Sequence, residues 1–431
     1  MQSVKKLPQA INSGTSIQVT HCQNCGDENL SSILFLGFLP PVNKLRKIGT
    51  TLSEEPSYPA QMLYCNNCFL AQLGLIVDPN ILFPKEYPYT SGTTKVLRDN
   101  FAELYRESSK LLKLKKNDLI IDIGSNDGTL LSNFKVNHKV LGITPEDVGK
   151  IAVKNGIPTV QSYFSKKTAE EVKAKYGKAK VVSAANVFAH MEQIHDVIDG
   201  IVLLLEKDGV FISESHYLLP LLKTVQYDTI YHEHMRYYSL ISLKNLLESH
   251  GLEVFHAKDI PSHGGSIRVY AAKKGLYPVK PTVKAMLAKE KKYVTGKKAF
   301  TDFAKKTLLS KLALSGLLLK IKKQNKKVFG ISAPSRGSTL INYTGLDENI
   351  LDCIVEVKGS HKIGNYAPGT LIPILDEEIL FRKQPEYVLL LSWHIAKELM
   401  PKLKQKGYKG DFIVPLPSPK IVKNSWVNVT K

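Results

Sequence analysis

This sequence predicts an α/β protein of three domains, and three observations predict it. Two Cys-x2-Cys pairs stand close together near the start of the chain. From residue 117 onward, strand and helix patterns alternate, which marks a parallel sheet with helices across its faces. From residue 328, a strand, a small-residue turn and a helix open a second, smaller run of the same kind. These signals divide the chain into a metal-binding ribbon (1–85), a central Rossmann-like domain (86–275), a helical linker (276–325) and a C-terminal Rossmann-like domain (326–431).

The 431 residues fit about two to three domains and can bury a sizeable core. No stretch approaches the length of a membrane span, and the opening residues MQSVKKLPQAINSGTSIQVT lack the apolar run of a secretory signal, so a soluble cytoplasmic protein is expected. The formal charge of +20, from 59 basic and 39 acidic residues, suits nucleic acid, an anionic membrane surface or a phosphorylated substrate. The lysines of 110–116, 285–298, 305–327 and 402–409 are interleaved with Leu and Ala at helical spacing, which reads as solvated helix faces instead.

Residues 1–20 carry no clear period and are read as a loose arm. Cys22, Cys25, Cys65 and Cys68 then account for four of the five cysteines. In a cytosolic chain two such knuckles favour metal over disulfide, and four thiolates make a closed, structural zinc site. A redox pair is the alternative, but it would place one Cys-x2-Cys at a helix start. LSSILFLGFLPPVNKL and residues 60–64 supply the short strands of the ribbon. Residues 83–95, FPKEYPYTSGTTK, read as a loop in which Tyr87 and Tyr89 flank a proline and are held extended, either toward a cleft or packed on the surface. A helix is expected over 94–114.

The stretch 119–131, LIIDIGSNDGTLL, is a buried strand running into a glycine-bearing turn and a helix start. Gly124 and Gly128 let backbone approach a ligand closely, and Asp122 and Asn126 give the turn acidic and amide groups that suit a cationic, amino-acid-bearing ligand better than a phosphate. It resembles the first motif of class I S-adenosylmethionine (SAM) methyltransferases; an ordinary strand-to-helix turn is the alternative. Strands follow at 139–143, 180–184 and 208–215, with helices near 146–155, 165–175, 193–206 and 241–250. Ligands of such sheets sit at the carboxyl ends of strands, which singles out 124–128, Thr144 to Glu146, Ala185 to His190 and Glu214 to Tyr217.

Residues 226–238, QYDTIYHEHMRYY, hold four tyrosines, two histidines and two carboxylates. Buried unpaired they would cost too much, so they form a satisfied network around a site or a solvated surface. His-x-His suits a metal weakly, since the helical H-E-x-x-H spacing is absent. Tyr231, Glu233 and His234 suit acid–base work: a phenol, a carboxylate and an imidazole that operates near neutrality. The loop from His263 through paired glycines to Arg268 admits a ligand phosphate or is a plain hairpin turn. Residues 275–325 read as linking helix. At 328–338, small residues and Arg336 suit a diphosphate on a helix N-terminus, with Lys362 adding positive charge near the next strand end.

In their order, the two Cys-x2-Cys pairs, YPYTSG, DIGSNDGTLL, ANVFAH, QYDTIYHEH, RYYSL, HGGSIRVYAA, GISAPSRGSTLINY and YAPGTLIPI resemble the sugar C-methyltransferases, over nearly the whole chain from Cys22 to about Pro419. The resemblance implies three domains, structural zinc, SAM, and methylation at C3 of a nucleotide-diphosphate 4-keto-deoxysugar. It places SAM against Asp122, Gly124, Asn126, Gly128 and Asn186, with catalytic groups at Tyr87, His190, Tyr231, Glu233 and His234. His234 is then the base that makes a C3 enolate, Glu233 orients it or polarises the ketone, and the others bond the enolate oxygen or sugar hydroxyls. Tyr89, His263, Arg268, Arg336 and Lys362 are the expected substrate contacts. Similar enzymes commonly carry a glutamate where Thr144 stands, and Glu146 is the substitute for the ribose. No nucleic acid or membrane partner is expected, and the chain is read as a monomer or weak homo-oligomer. A zinc-ribbon RNA methyltransferase and a non-catalytic sugar-nucleotide binder are the competing readings.

Overall fold

The computed structural model describes residues 16–83 and 90–424. Strands β1 (Leu30–Leu39), β2 (Tyr58–Cys65) and β3 (Ala71–Leu73) form an antiparallel ribbon. The two cysteine knuckles sit where the chain enters β1 and where it turns from β2 to β3. Alternation in β2 buries Ala60, Met62 and Tyr64 on one face, as a period of two requires.

Helix α1 (Lys95–Leu112) lays Leu97, Phe101, Leu104 and Leu112 on the central sheet, a spacing that keeps one face inward, and ends on Lys113 in the left-handed region. The strands β4 (Leu119–Ile123), β5 (Lys139–Ile143) and β6 (Thr159–Val160) follow, then helix α2 (Lys166–Tyr176), β7 (Ala179–Ala185), helix α3 (Ile194–Leu204) and β8 (Leu205–His216). All five strands are parallel in the order β6-β5-β4-β7-β8. After β8 come β9 (Arg236–Tyr237), helix α4 (Leu240–Glu248) and the antiparallel hairpin β10 (Leu252–Ile260) and β11 (Ser266–Lys273), which extends the sheet beyond β8 to seven strands. Strand β10 carries Glu253, Lys258 and Asp259 among apolar residues, which hid its strand pattern in the sequence. Strand β9 leaves this domain altogether: Arg236 and Tyr237 pair with Gln72 and Ala71 of β3, making the catalytic-looking segment the fourth strand of the ribbon.

The expected linker is two helices, α5 (Pro281–Val294) and α6 (Lys297–Lys322), and both are built into the core. Val294, Phe300, Phe303, Leu314, Leu318 and Ile321 pack with ribbon and C-terminal residues, while buried Glu290 accepts the backbone N–H groups of Leu240 and Ile241 at the start of α4. None of the described helices is long and apolar enough to cross a membrane. The C-terminal domain is a second sheet: β12 (Val328–Ile331), helix α7 (Ser335–Thr344), β13 (Cys353–Glu356), β14 (Ile374–Asp376), β15 (Tyr387–Leu390), β16 (Asp411–Val414) and β17 (Lys420–Val422), ordered β14-β13-β12-β15-β16-β17 with only β17 antiparallel. It is also stitched to the ribbon by a two-strand pairing of Arg46–Lys47 with Asn365–Tyr366.

Arg268, expected to meet a phosphate, lies instead at the centre of a buried ion cluster. Its guanidinium reaches Glu103 and, at 2.9 Å, Glu107 on α1, Glu214 on β8 at 3.1 Å, and the Asn100 amide oxygen at 2.9 Å; Asn100 in turn donates to Glu214 at 2.6 Å. Arg268 and Glu214 are both at 0% exposure. Burial pushes the Glu214 carboxyl above its ordinary pKa, so it needs this cation to stay charged. Arg268→Met will strand that carboxylate and lower stability by about 3–5 kcal/mol in urea unfolding. A mere phosphate contact would spare stability when removed.

Candidate active site

The ribbon forms the first site. The four cysteine sulfurs lie within 4.8 Å of one another, with Cys22 and Cys68 at 3.4 Å and Cys25 and Cys65 at 3.6 Å. A tetrahedral ion with Zn–S of about 2.3 Å sets sulfurs about 3.8 Å apart, so the set fits one zinc. The N–H groups of Asn24 and Cys68 point at the sulfurs of Cys22 and Cys65, as expected for thiolate acceptors. Four thiolates fill the coordination sphere and leave no position for a substrate, so the site is structural.

The second is the turn after β4. Gly124 has φ +71°, and a Cβ there would stand 2.4 Å from Val187; Gly128 has φ +78°, with Ile157 at 2.7 Å from its would-be Cβ. Both positions therefore demand glycine on backbone and on space. The Asn126 side chain accepts from the Ser91 N–H at 2.9 Å and Asp127 from the Gly92 N–H at 2.7 Å, so the turn grips the segment leading into α1. Asp122 does not face the turn: it is buried in the sheet, accepts from Ser183 at 2.7 Å, and burial lifts its pKa to about 7. At the end of β5, buried Thr144 donates to Glu146 and holds that carboxylate in place. After β7, Asn186 sits at φ +60° with its side chain beside the Glu214 carboxylate, and the buried Ser125 hydroxyl has no partner among the described residues. The orphaned Ser125 hydroxyl at the carboxyl end of β4 and the amide of Asn186 at that of β7 fit a ligand with ribose and amino-acid groups.

The third is the segment 226–238, which is buried nearly throughout. The ribbon holds it from one side. Asn43 donates to Glu233 at 2.7 Å, His232 meets the Pro59 carbonyl at 3.3 Å, and the Leu73 N–H reaches the Met235 carbonyl. From the other side the Met235 N–H bonds the Ala189 carbonyl, on the turn Phe188–His190 that continues from Val187. The segment is thereby placed beside the β4 turn. His232 and His234 face different neighbours, which removes the His-x-His metal reading. His234 Nδ1 lies 3.0 Å from the Thr229 carbonyl and so carries the proton, leaving Nε2 bare and 3.1 Å from the Tyr231 hydroxyl, which donates to it. Burial keeps His234 well below the ordinary histidine pKa and raises Tyr231 well above the ordinary phenol, so the pair is neutral. Around His234 the imidazoles form a row: His190 at 4.9 Å and His216 at 4.8 Å between ring centres, with His263 stacked on His216 at 5.4 Å. Burial lowers His190 and His263 to about 4.

Sequence reasoning passed over Asn43, whose ribbon loop carried no signal, and named His216 only as a residue at a strand end. Arg336 is not open to a diphosphate. It makes a two-pronged pair with Asp228 at 2.8 and 2.9 Å over the Trp393 ring, and Trp393 donates to the same carboxylate at 2.7 Å. It locks the C-terminal domain onto the central one. The paired glycines of the β10–β11 hairpin are taken up by protein, because side chains there would meet Gln226 and Pro220. Lys362 donates to the Ala333 carbonyl at 2.6 Å and lines an apolar recess with Val42, Leu45, Pro334 and Ile354. Tyr87 and Tyr89 lie outside the described residues.

Fold and sites together define a SAM-dependent methyltransferase with a structural zinc domain. Family models match in the same order: a zinc binding domain at 22–83, a methyltransferase domain at 96–257 and a C-methyltransferase C-terminal domain at 261–417. The C-methyltransferase NovU of Streptomyces niveus is 32% identical over 94% of this chain and 97% of its own length. The chain belongs to the sugar C-methyltransferase family. Solved structures superpose on part of it: magnesium protoporphyrin IX methyltransferase from Synechocystis with bound S-adenosylhomocysteine (12% identity, 41% of this chain and 83% of that one, TM-score 0.33), and an S-adenosylmethionine-dependent methyltransferase from Clostridium acetobutylicum (10%, 42% and 94%, 0.33).

Gly124→Val will abolish S-adenosylhomocysteine binding in calorimetry while leaving the zinc content unchanged; unaltered affinity would reduce the turn to scaffolding. Metal analysis will return one zinc per chain, and Cys65→Ser will lose the metal. Because the ribbon holds 232–237, that variant will lose turnover in greater proportion than S-adenosylhomocysteine binding.

Proposed function

We propose that the enzyme methylates C3 of a nucleotide-diphosphate 4-keto-6-deoxysugar. The observation that carries this reading is the bare Nε2 of His234, fixed by the Thr229 carbonyl and by Tyr231 on a segment bonded to the turn that follows β7. A ketone at C4 acidifies the C3 proton, and a neutral, buried imidazole whose unprotonated Nε2 meets only the Tyr231 hydroxyl among the described residues is suited to take it. Bound SAM supplies the methyl group that the resulting enolate carbon accepts in line. Glu233, held by the Asn43 amide, is suited to accept from a sugar hydroxyl. Gly124 and Gly128 form the cofactor's backbone cradle, Asn186 offers its amide at the end of β7, and Glu146, steadied by Thr144, takes the ribose role in place of the glutamate absent at 144. Lys362 and the apolar recess beside it suit the nucleotide end. The aromatic residues of 226–238 are buried, which argues against a platform for stacking RNA bases.

One observation favours a variant of this reading: Nε2 already accepts from the Tyr231 hydroxyl, so the phenol oxygen can meet the C3 proton with His234 behind it. Incubation with SAM and a panel of 4-keto-6-deoxy sugar nucleotides will give a mass gain of one methyl group; no gain with any of them would sink the proposal. His234→Asn will keep ligand affinity and lower turnover by about 10² to 10⁴, together with exchange of the C3 proton into deuterated solvent. A loss of exchange in Tyr231→Phe with exchange preserved in His234→Asn would move the base to the phenol.

A further inference from the structure

Removing the C3 proton is half of the problem; the negative charge that develops on the C4 oxygen needs a hydrogen-bond donor. His234 cannot supply it, since its Nδ1–H is committed to Thr229 and its Nε2 is the acceptor. The two imidazoles flanking it differ in position. His190 stands on the cradle side, on the turn that begins at Val187, the residue against Gly124. The methyl group arrives from that side, at right angles to the enolate plane, so the C4 oxygen, which lies in that plane, needs a donor on another flank of His234. There the last residue of β8, His216, tilts over His234 and stacks at 23° on His263. Among the described residues neither ring nitrogen of His216 has a hydrogen-bond partner.

We propose that His216 is a further catalytic residue, whose ring N–H binds the enolate oxygen while His263 fixes the plane of the ring. The inference rests on the C4-ketone reading above. A neutral imidazole suits the task, because an imidazolium would hand its proton to the enolate and collapse it. Burial, followed by the neighbouring His234, His263 and Arg336, holds His216 well below the ordinary histidine pKa, so it stays neutral through the physiological range.

His216→Phe preserves the stack on His263 and removes both nitrogens; His216→Asn restores an N–H donor. In the full-length protein, with S-adenosylhomocysteine bound, His216→Phe will lower exchange of the C3 proton into deuterated solvent by about 10² to 10³. With SAM it will lower kcat by a similar factor, with KM for the sugar nucleotide little changed, and His216→Asn will recover part of both. Zinc content and S-adenosylhomocysteine affinity check that each variant is folded. Wild-type exchange in His216→Phe, or a loss confined to KM, overturns the assignment; should His216→Phe fail to fold, wild-type exchange in His216→Leu, which also lacks a donor, overturns it instead. If wild-type protein methylates none of the 4-keto sugars, the substrate reading has failed. If it does, and only His216→Phe is silent, the fault lies with this inference.

Discussion

The pairing of Arg236 and Tyr237 with Gln72 and Ala71 is the constraint on which the reactive centre depends. Two residues after His234 the backbone becomes a strand of another domain's sheet, and ladder hydrogen bonds fix its register to within a residue. A slip of one position would carry His234 and Tyr231, joined in one turn, away from the Ala189 carbonyl that holds the segment beside the β4 turn. The zinc thus acts at a distance: it ties the two knuckles around β2 and β3, and β3 in turn templates the segment that carries the chemistry. A small ribbon buries too little apolar surface to be rigid alone, and the metal supplies what its core lacks.

Two buried ion networks do comparable work elsewhere. The Arg268 cluster pins α1 against β8 and β11, beneath the loop that leads into the cofactor turn, while Arg336 and Asp228 pin the C-terminal domain against the start of 226–238. Buried pairs of this kind contribute little net stability when desolvation is counted, but breaking one is costly. Their effect is to exclude alternative dockings, since no other arrangement satisfies both partners. The histidine row is neutral for the converse reason: among the described residues no carboxylate pairs with His190, His216, His234 or His263, so burial works against every positive charge.

Much of this was legible in the sequence. Strands at 119–123, 139–143 and 328–331 are fully or largely apolar runs bounded by turn residues, and they fall where their pattern put them. The cysteine spacing identified the ribbon, and the density of polar and aromatic groups at 226–238 identified the reactive segment. What failed were the arginines. A guanidinium beside a glycine turn looks the same in sequence whether it awaits a phosphate or a carboxylate from a distant element, and Glu103, Glu107, Glu214 and Asp228 are remote from the arginines they satisfy. The helices at 281–322 lie where their spacing predicted them, but their place in the core stayed hidden for a related reason. Their lysines advertise a solvent face, while the partners of Phe300, Phe303 and Leu314 come from both ends of the chain.

The ribbon's loop also reaches forward. Asn43 bonds Glu233 and stands against Ser335, and Arg46–Lys47 pairs with Asn365–Tyr366, so the wall of the reactive chamber is woven from early, middle and late parts of the polypeptide. During synthesis the ribbon and the cofactor domain emerge first and can acquire their shape on the ribosome. The chamber cannot close until residue 366 has been made. A chain interrupted before that point lacks the late contacts that hold the Asn43 loop beside Glu233, and competence arrives only with the nearly finished molecule.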